Sequence, residues 1–110
     1  MNMVLTTKVV GLTFNPSYPK NIYAIAKDFA LGDDSISLVR EKDNEVDANA
    51  IAVHHGENQV GHVPRKLAEF ISPQIDAGIE WYAAIESVVV SQNNVNNPGL
   101  KITMWSKDAD

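Results

Sequence analysis

The sequence has no cysteine. Disulfides and thiolate metal ligands are therefore excluded, and no redox compartment is indicated. No apolar run approaches the ~20 residues needed to span a membrane. The opening Met1-Asn2-Met3-Val4-Leu5 lacks the basic-then-apolar pattern of a secretory signal. These absences lead to the expectation of a cytoplasmic protein with no membrane partner. Positive charge is also scarce, with 9 Lys and Arg against 14 Asp and Glu, for a net charge of −5. Proteins that coat a nucleic-acid backbone neutralise many phosphates and are usually basic. Any nucleic-acid site here must be small and local, which suits an end better than a long track. There is no Ser-His-Asp set and no glycine loop to cradle phosphates. No enzyme activity and no cofactor are expected.

What is present describes an ordinary globular chain. Its 110 residues suggest one domain over 1–110, with 45% apolar and 21% charged residues. A first strand is expected over 8–14. Ile22, Ile25, Ala26 and Phe29 recur at helical spacing, with Asn21 as a candidate cap. Gly32-Asp33-Asp34 breaks that helix before a strand at 35–41, where Ser37-Leu38-Val39-Arg40 alternates polar and apolar. Residues 43–49 form a loop rich in Asp and Asn, which cap their own backbone in turns. Strands at 50–53 and 59–63 flank a turn at 55–58. Pro64 fits the first turn of a second helix, with Leu67, Phe70 and Ile71 as its buried face. Ser72 and Pro73 predict a break there, Ser72 capping a new turn, and Gly78 stops it. A long strand at 79–91, an Asn-rich loop at 92–99 and a strictly alternating strand at 100–105 follow, then a frayed tail at 107–110. About six antiparallel strands with two or three short helices would curl or close to hide their edges.

Two metal motifs fail on spacing. Asp43, Glu45 and Asp47 resemble the start of a calcium loop, but its sixth position is Ala48 and its twelfth is His54. His54 and His55 are adjacent on a strand and point to opposite faces, so they do not join His62 around zinc.

The densest set of placed polar residues runs from Leu38 to Leu67. Leu38-Val39-Arg40-Glu41, Asp43-Asn44, Asp47-Ala48-Asn49-Ala50-Ile51-Ala52-Val53 and Val60-Gly61-His62-Val63-Pro64-Arg65 follow in order, with Val9-Val10-Gly11 upstream. This series resembles the HIRAN domain, found on helicase-like fork-remodelling ATPases and as a stand-alone bacterial or phage protein. The resemblance covers most of the chain. It implies an all-β to α+β fold, a small OB-like antiparallel β-barrel. It also implies a non-catalytic module that binds the 3′ end of single-stranded DNA, accessory to DNA repair or replication, with a helicase or repair protein as a candidate partner.

The resemblance also assigns site residues. Asp47 matches an aspartate that accepts a hydrogen bond from the 3′-hydroxyl. A bond of that charge-assisted kind is worth ~1.5–3 kcal/mol. His62 and Arg65 match positions that touch phosphates, at a helix N-terminus suited to anions. Thr13 and Phe14 stand where the family has a basic and an aromatic residue, and Phe14 keeps a stacking surface. Asn44 matches a loop asparagine. Val46 stands where the family usually has tyrosine, Glu45 where it has proline, and Val95 and Asn96 where it can place an aromatic. Structural readings stand beside these: Asp47 and Asn44 as turn caps, Phe14 as core, His62 as a strand-end residue, Arg65 as a surface cation. The alternative function is a protein-interaction module on the same fold. A metal-dependent enzyme built on Asp43, Asp47 and His62 lacks a second activated group. Nothing in the sequence sets an oligomeric state.

Overall fold

The computed structural model describes residues 4–11, 15, 17–30, 32, 35–89 and 99–107. The elements are β1 (Val4–Lys8), α1 (Ser17–Ala30), β2 (Ser35–Arg40), β3 (Ile51–His55), β4 (Asn58–His62), α2 (Arg65–Asp76), β5 (Glu80–Val89) and β6 (Gly99–Lys107). The six strands form one sheet in the order β1-β6-β5-β2-β3-β4, every pair antiparallel. The sheet curls into a half-barrel carrying two helices, a small OB-like α+β fold. Register irregularities between Val53 and His54, and between Ile85 and Ser87, add local bend and twist. The two outer strands meet just beyond β1. Val10 N–H donates to the His62 carbonyl at 2.9 Å, and His62 N–H donates back at 2.8 Å.

Alternation in β5 and β6 turns Trp81, Ala83 and Ile85, and Leu100, Ile102 and Met104, into the core. Ile51 and Val53 join them from β3, Ile22 and Ile25 from α1, and Ala68 and Ile71 from α2. Burying each isoleucine side chain contributes roughly 1.5–3 kcal/mol. Gly56, at φ +61°, makes the tight β3–β4 turn expected at 55–58.

Several expectations are corrected. The first strand lies at Val4–Lys8 rather than 8–14, pairing Val4 with Trp105 through Lys8 with Lys101. Val9 is buried and Val10 leaves the β6 ladder to bridge His62, so β1 ends early. Asn21 does not cap α1. The cap is Asn15, whose Oδ1 accepts from Ser17 N–H at 2.9 Å and from Ser17 Oγ at 2.8 Å. Asn21 Nδ2 instead donates to the Gln59 carbonyl at 2.7 Å, tying α1 to β4. Of the expected loop at 92–99, residues 92–98 lie outside the described residues and Gly99 begins β6; the end of the tail, 108–110, also lies outside them.

The second helix is not broken at Pro73, which lies inside its last turn. There the missing N–H forfeits one late intrahelical bond, to the Glu69 carbonyl. Ser72 is buried rather than capping: its Oγ lies 2.6 Å from the Ala68 carbonyl and 2.5 Å from that of Asn49. Phe70 is 48% exposed, because the inward stripe runs through Leu67, Ala68, Ile71 and Ile75. Gly78 stops the helix as expected. At φ +97° it lets its own N–H reach the Ile75 carbonyl at 3.0 Å and the Ile79 N–H reach the Gln74 carbonyl at 3.0 Å.

Candidate nucleic-acid interface

The loop between β2 and β3 holds its shape by bonding to itself. Asn44 Oδ1 accepts from the N–H of Val46 at 2.9 Å and of Asp47 at 3.0 Å. Asp47 Oδ1 accepts from Asn49 N–H at 2.9 Å, and the Asp47 carbonyl accepts from Ala50 N–H at 3.0 Å. These are the side-chain turns that Asn and Asp favour. Asn44 and Asp47 therefore do have the capping role that was the structural alternative for them. Val46, whose N–H is held by Asn44, is 86% exposed.

A cleft of about 390 Å³ opens against this loop. Val10 and Gly11 line it from the segment after β1; Asn44, Val46, Asp47 and Ala50 line it from the loop; His62, Val63 and Arg65 line it from the β4–α2 corner. The structure thus brings Asn44, Val46, Asp47, His62 and Arg65 to one place. Thr13 and Phe14 lie outside the described residues, as do Val95 and Asn96.

The walls are largely apolar and the charge stands at particular points. The Arg65 side chain is 70% exposed, with Nε 3.9 Å from Asp47 Oδ2 and 4.0 Å from Glu69 Oε1. No side chain caps the start of α2, and its first turn carries no acidic residue. That end offers free N–H groups and a partial positive charge to an anion. His62 is fixed by its paired bonds to Val10, and its Nε2 lies 2.7 Å from Glu41 Oε1. Glu41 also accepts from Asn44 Nδ2 at 3.4 Å. Burial, and then the nearby Glu41 charge, push the Tyr18 phenol above its ordinary value.

Glu41, Val10, Gly11, Ala50 and Val63 were not singled out as site residues from sequence. Glu41 stood within the Leu38–Glu41 motif, but its partner His62 is 21 positions away, and no periodicity connects them. Among the described residues, no three His, Asp or Glu side chains converge as a metal site. No described helix is long and apolar enough to cross a membrane.

A model of the HIRAN domain matches residues 3–107. Two crystal structures share the fold. One is of a protein from Lactobacillus plantarum, at 21% identity and a TM-score of 0.67, covering 96% of this chain and 97% of that one. The other is the HIRAN domain of human HLTF, at 25% identity and a TM-score of 0.62, covering 96% of this chain and 77% of that one. No curated protein is significantly similar to the chain in sequence.

Proposed function

The chain belongs to the HIRAN domain family, known for DNA binding, and on that premise we propose that its cleft takes the 3′ end of single-stranded DNA. In this role the protein is a non-catalytic accessory module of DNA repair or replication. The carrying observation is convergence: Asp47 from the β2–β3 loop and His62 and Arg65 from the β4–α2 corner line one cleft beside an uncapped helix start. Each has a chemical task. Asp47 Oδ1 is engaged by Asn49 N–H, while Oδ2 stands too far from Arg65 to be hydrogen-bonded and keeps acceptor capacity for a terminal hydroxyl. Arg65 and the α2 N-terminus face the preceding phosphate, and His62 adds a ring nitrogen. Val46 and Val10, both exposed, offer an apolar surface to the sugar and base. The net charge of −5 matches a site that grips one end rather than a long backbone.

The test is fluorescence anisotropy with matched oligonucleotides ending in a 3′-hydroxyl or a 3′-phosphate. A terminal phosphate sets anion against the Asp47 carboxylate and removes the hydroxyl donor. The free end should bind roughly ten- to a hundredfold more tightly. Asp47→Asn keeps an acceptor for Asn49 and removes the charge, so it should largely erase the preference while leaving the fold intact. Equal binding of both ends by the wild-type protein would sink the reading. One observation favours a second reading: Val46, 86% exposed beside a mainly apolar cleft, suits an apolar segment of a partner protein. That reading leads if neither oligonucleotide binds.

A further inference from the structure

We infer that the outer face of β1, β6 and β5 carries the single strand upstream of the end held in the cleft: the Lys8–Lys101 pair takes a phosphate, and the stacked Trp105 and Tyr82 rings take a base. The inference rests on the DNA-end reading and adds to it a second contact on the same strand.

Alternation builds the face. Both helices pack on the side of the sheet that holds Trp81, Ala83 and Ile85, where Ile22, Ile25, Ala68 and Ile71 share one core with them. The opposite side presents Val4 and Lys8 from β1, Lys101 and Trp105 from β6, and Tyr82 from β5. Cross-strand register sets these in two rows: Val4, Trp105 and Tyr82 in one, Lys8 and Lys101 in the other. The Trp105 and Tyr82 rings stack with centroids 6.1 Å apart and planes inclined by 30°. The Tyr82 hydroxyl donates to Glu80, which holds that ring in place. Tyr82 is 40% exposed and Val4 67%, so the row faces solvent.

The lysines point to an anion. Lys8 stands directly opposite Lys101, and like charges so placed destabilise a sheet. Among the described residues neither lysine has an acidic partner. Two carboxylates on this side, Glu80 and Glu86, accept from the Tyr82 hydroxyl and, at 3.0 Å, from Thr103 Oγ1. The face is also continuous with the cleft. Exposure alternates from Val4 through Thr6 and Lys8 to Val10, with Val9 buried between, so Val10 lines the cleft at the end of the same row. From Val4 to Val10 the chain spans ~20 Å at ~3.3 Å per residue. A single strand covers that with about six stacked nucleotides, or fewer when extended. Its phosphates pass the lysine pair first, and a base then reaches Trp105, opposite Val4. Aromatic rings hold bases without regard to sequence.

The experiment measures anisotropy and tryptophan emission with 3′-hydroxyl DNA oligonucleotides of about three and about twelve nucleotides. The longer one should bind roughly five- to a hundredfold more tightly, the worth of one stacked base, and should quench the emission. Trp81 is buried, so the quenching reports Trp105. Trp105→Ala should lose the gain with length, and Trp105→Tyr should keep the gain but lose the quenching. A merely structural ring pair would lower the Tm of Trp105→Ala and leave the gain intact. Lys8 and Lys101 are exposed, so Lys8→Gln with Lys101→Gln spares the fold. That variant should flatten the salt slope by ~0.7 for the longer oligonucleotide alone. A preference for the free 3′ end with no gain from length and no quenching overturns the inference and leaves the DNA-end reading standing. Gain and quenching without a preference between 3′-hydroxyl and 3′-phosphate sustain the outer face and overturn the end reading. Absence of binding at both lengths overturns both.

Discussion

Two arginine–aspartate pairs stand at opposite ends of the site loop and behave as different devices. Arg40 grips Asp76 with both prongs, Nε to Oδ1 and Nη2 to Oδ2, each at 3.2 Å. Its Nη1 donates to the Ala50 carbonyl at 3.3 Å, and its side chain is only 13% exposed. The Asp76 carboxylate lies in the last turn of α2, where a cation such as Arg40 also complements the helix C-terminus. Arg65 and Asp47 approach at one point, 3.9 Å apart, with the arginine mostly in solvent. The same two residue types thus make a closed brace in one place and an open pair in the other. A bidentate, shielded pair spends its donors on the fold. A single, exposed contact contributes little to stability and keeps its donors for a ligand.

The largest effect expected from breaking this contrast is on stability. Arg40→Ala removes packed methylenes and the bond to Ala50, and should lower Tm by roughly 5–10 °C in a domain of this size. Arg65→Ala should move Tm by no more than about 4 °C, as for ordinary surface changes. Calorimetry on the two variants checks the pair; equal losses would erase the distinction. The next effect is on binding. Arg65→Ala should weaken oligonucleotide binding and flatten the salt slope by ~0.7, one single-strand phosphate contact. Affinities measured across a salt series decide this, and an unchanged slope means that Arg65 touches no phosphate. The smallest effect is on the acid limb of stability. Hydrogen bonds from Arg40, and behind them the charges of Arg40 and Lys42, hold the Asp76 carboxyl below its ordinary 3.8. A pKa lowered by folding stabilises at pH values above the unfolded pKa, and the contribution is lost as pH falls through the folded value. Asp76→Asn should therefore shrink the fall in urea midpoint on acidification from about pH 5 to 2. A slope identical to wild type would remove Asp76 from the acid response.

Much of this molecule was legible in its pattern, for reasons that can be traced. The strands near 35–41, 79–91 and 100–105 bury one face, so alternation marked them, and the observed β2, β5 and β6 lie within two residues of those bounds at each end. Gly78 was readable because a left-handed residue after a helix is a local requirement. The failures share a different cause. Whether Val9 and Val10 extend β1 or cross to β4 depends on where His62 lies in space. Ser72 and Pro73 look like a helix break until the Ala68 and Asn49 carbonyls supply partners for the buried hydroxyl. Asn21 reads as a cap until Gln59 stands opposite it. At the site, the turn-capping role of Asn44 and Asp47 was legible because turn chemistry is local, whereas their candidacy as site residues came from the family resemblance. The contact between Glu41 and His62 is a tertiary fact and left no signal in spacing.

The paired bonds between Val10 and His62 have a wider meaning. They form the seam at which a curled sheet becomes a nearly closed one, and the seam runs along the edge of the cleft. Val10 and Gly11 stand on one side of it, His62 and Arg65 on the other. A ligand that touched both margins would act as a clasp, and its binding free energy would add to whatever holds the two edges together.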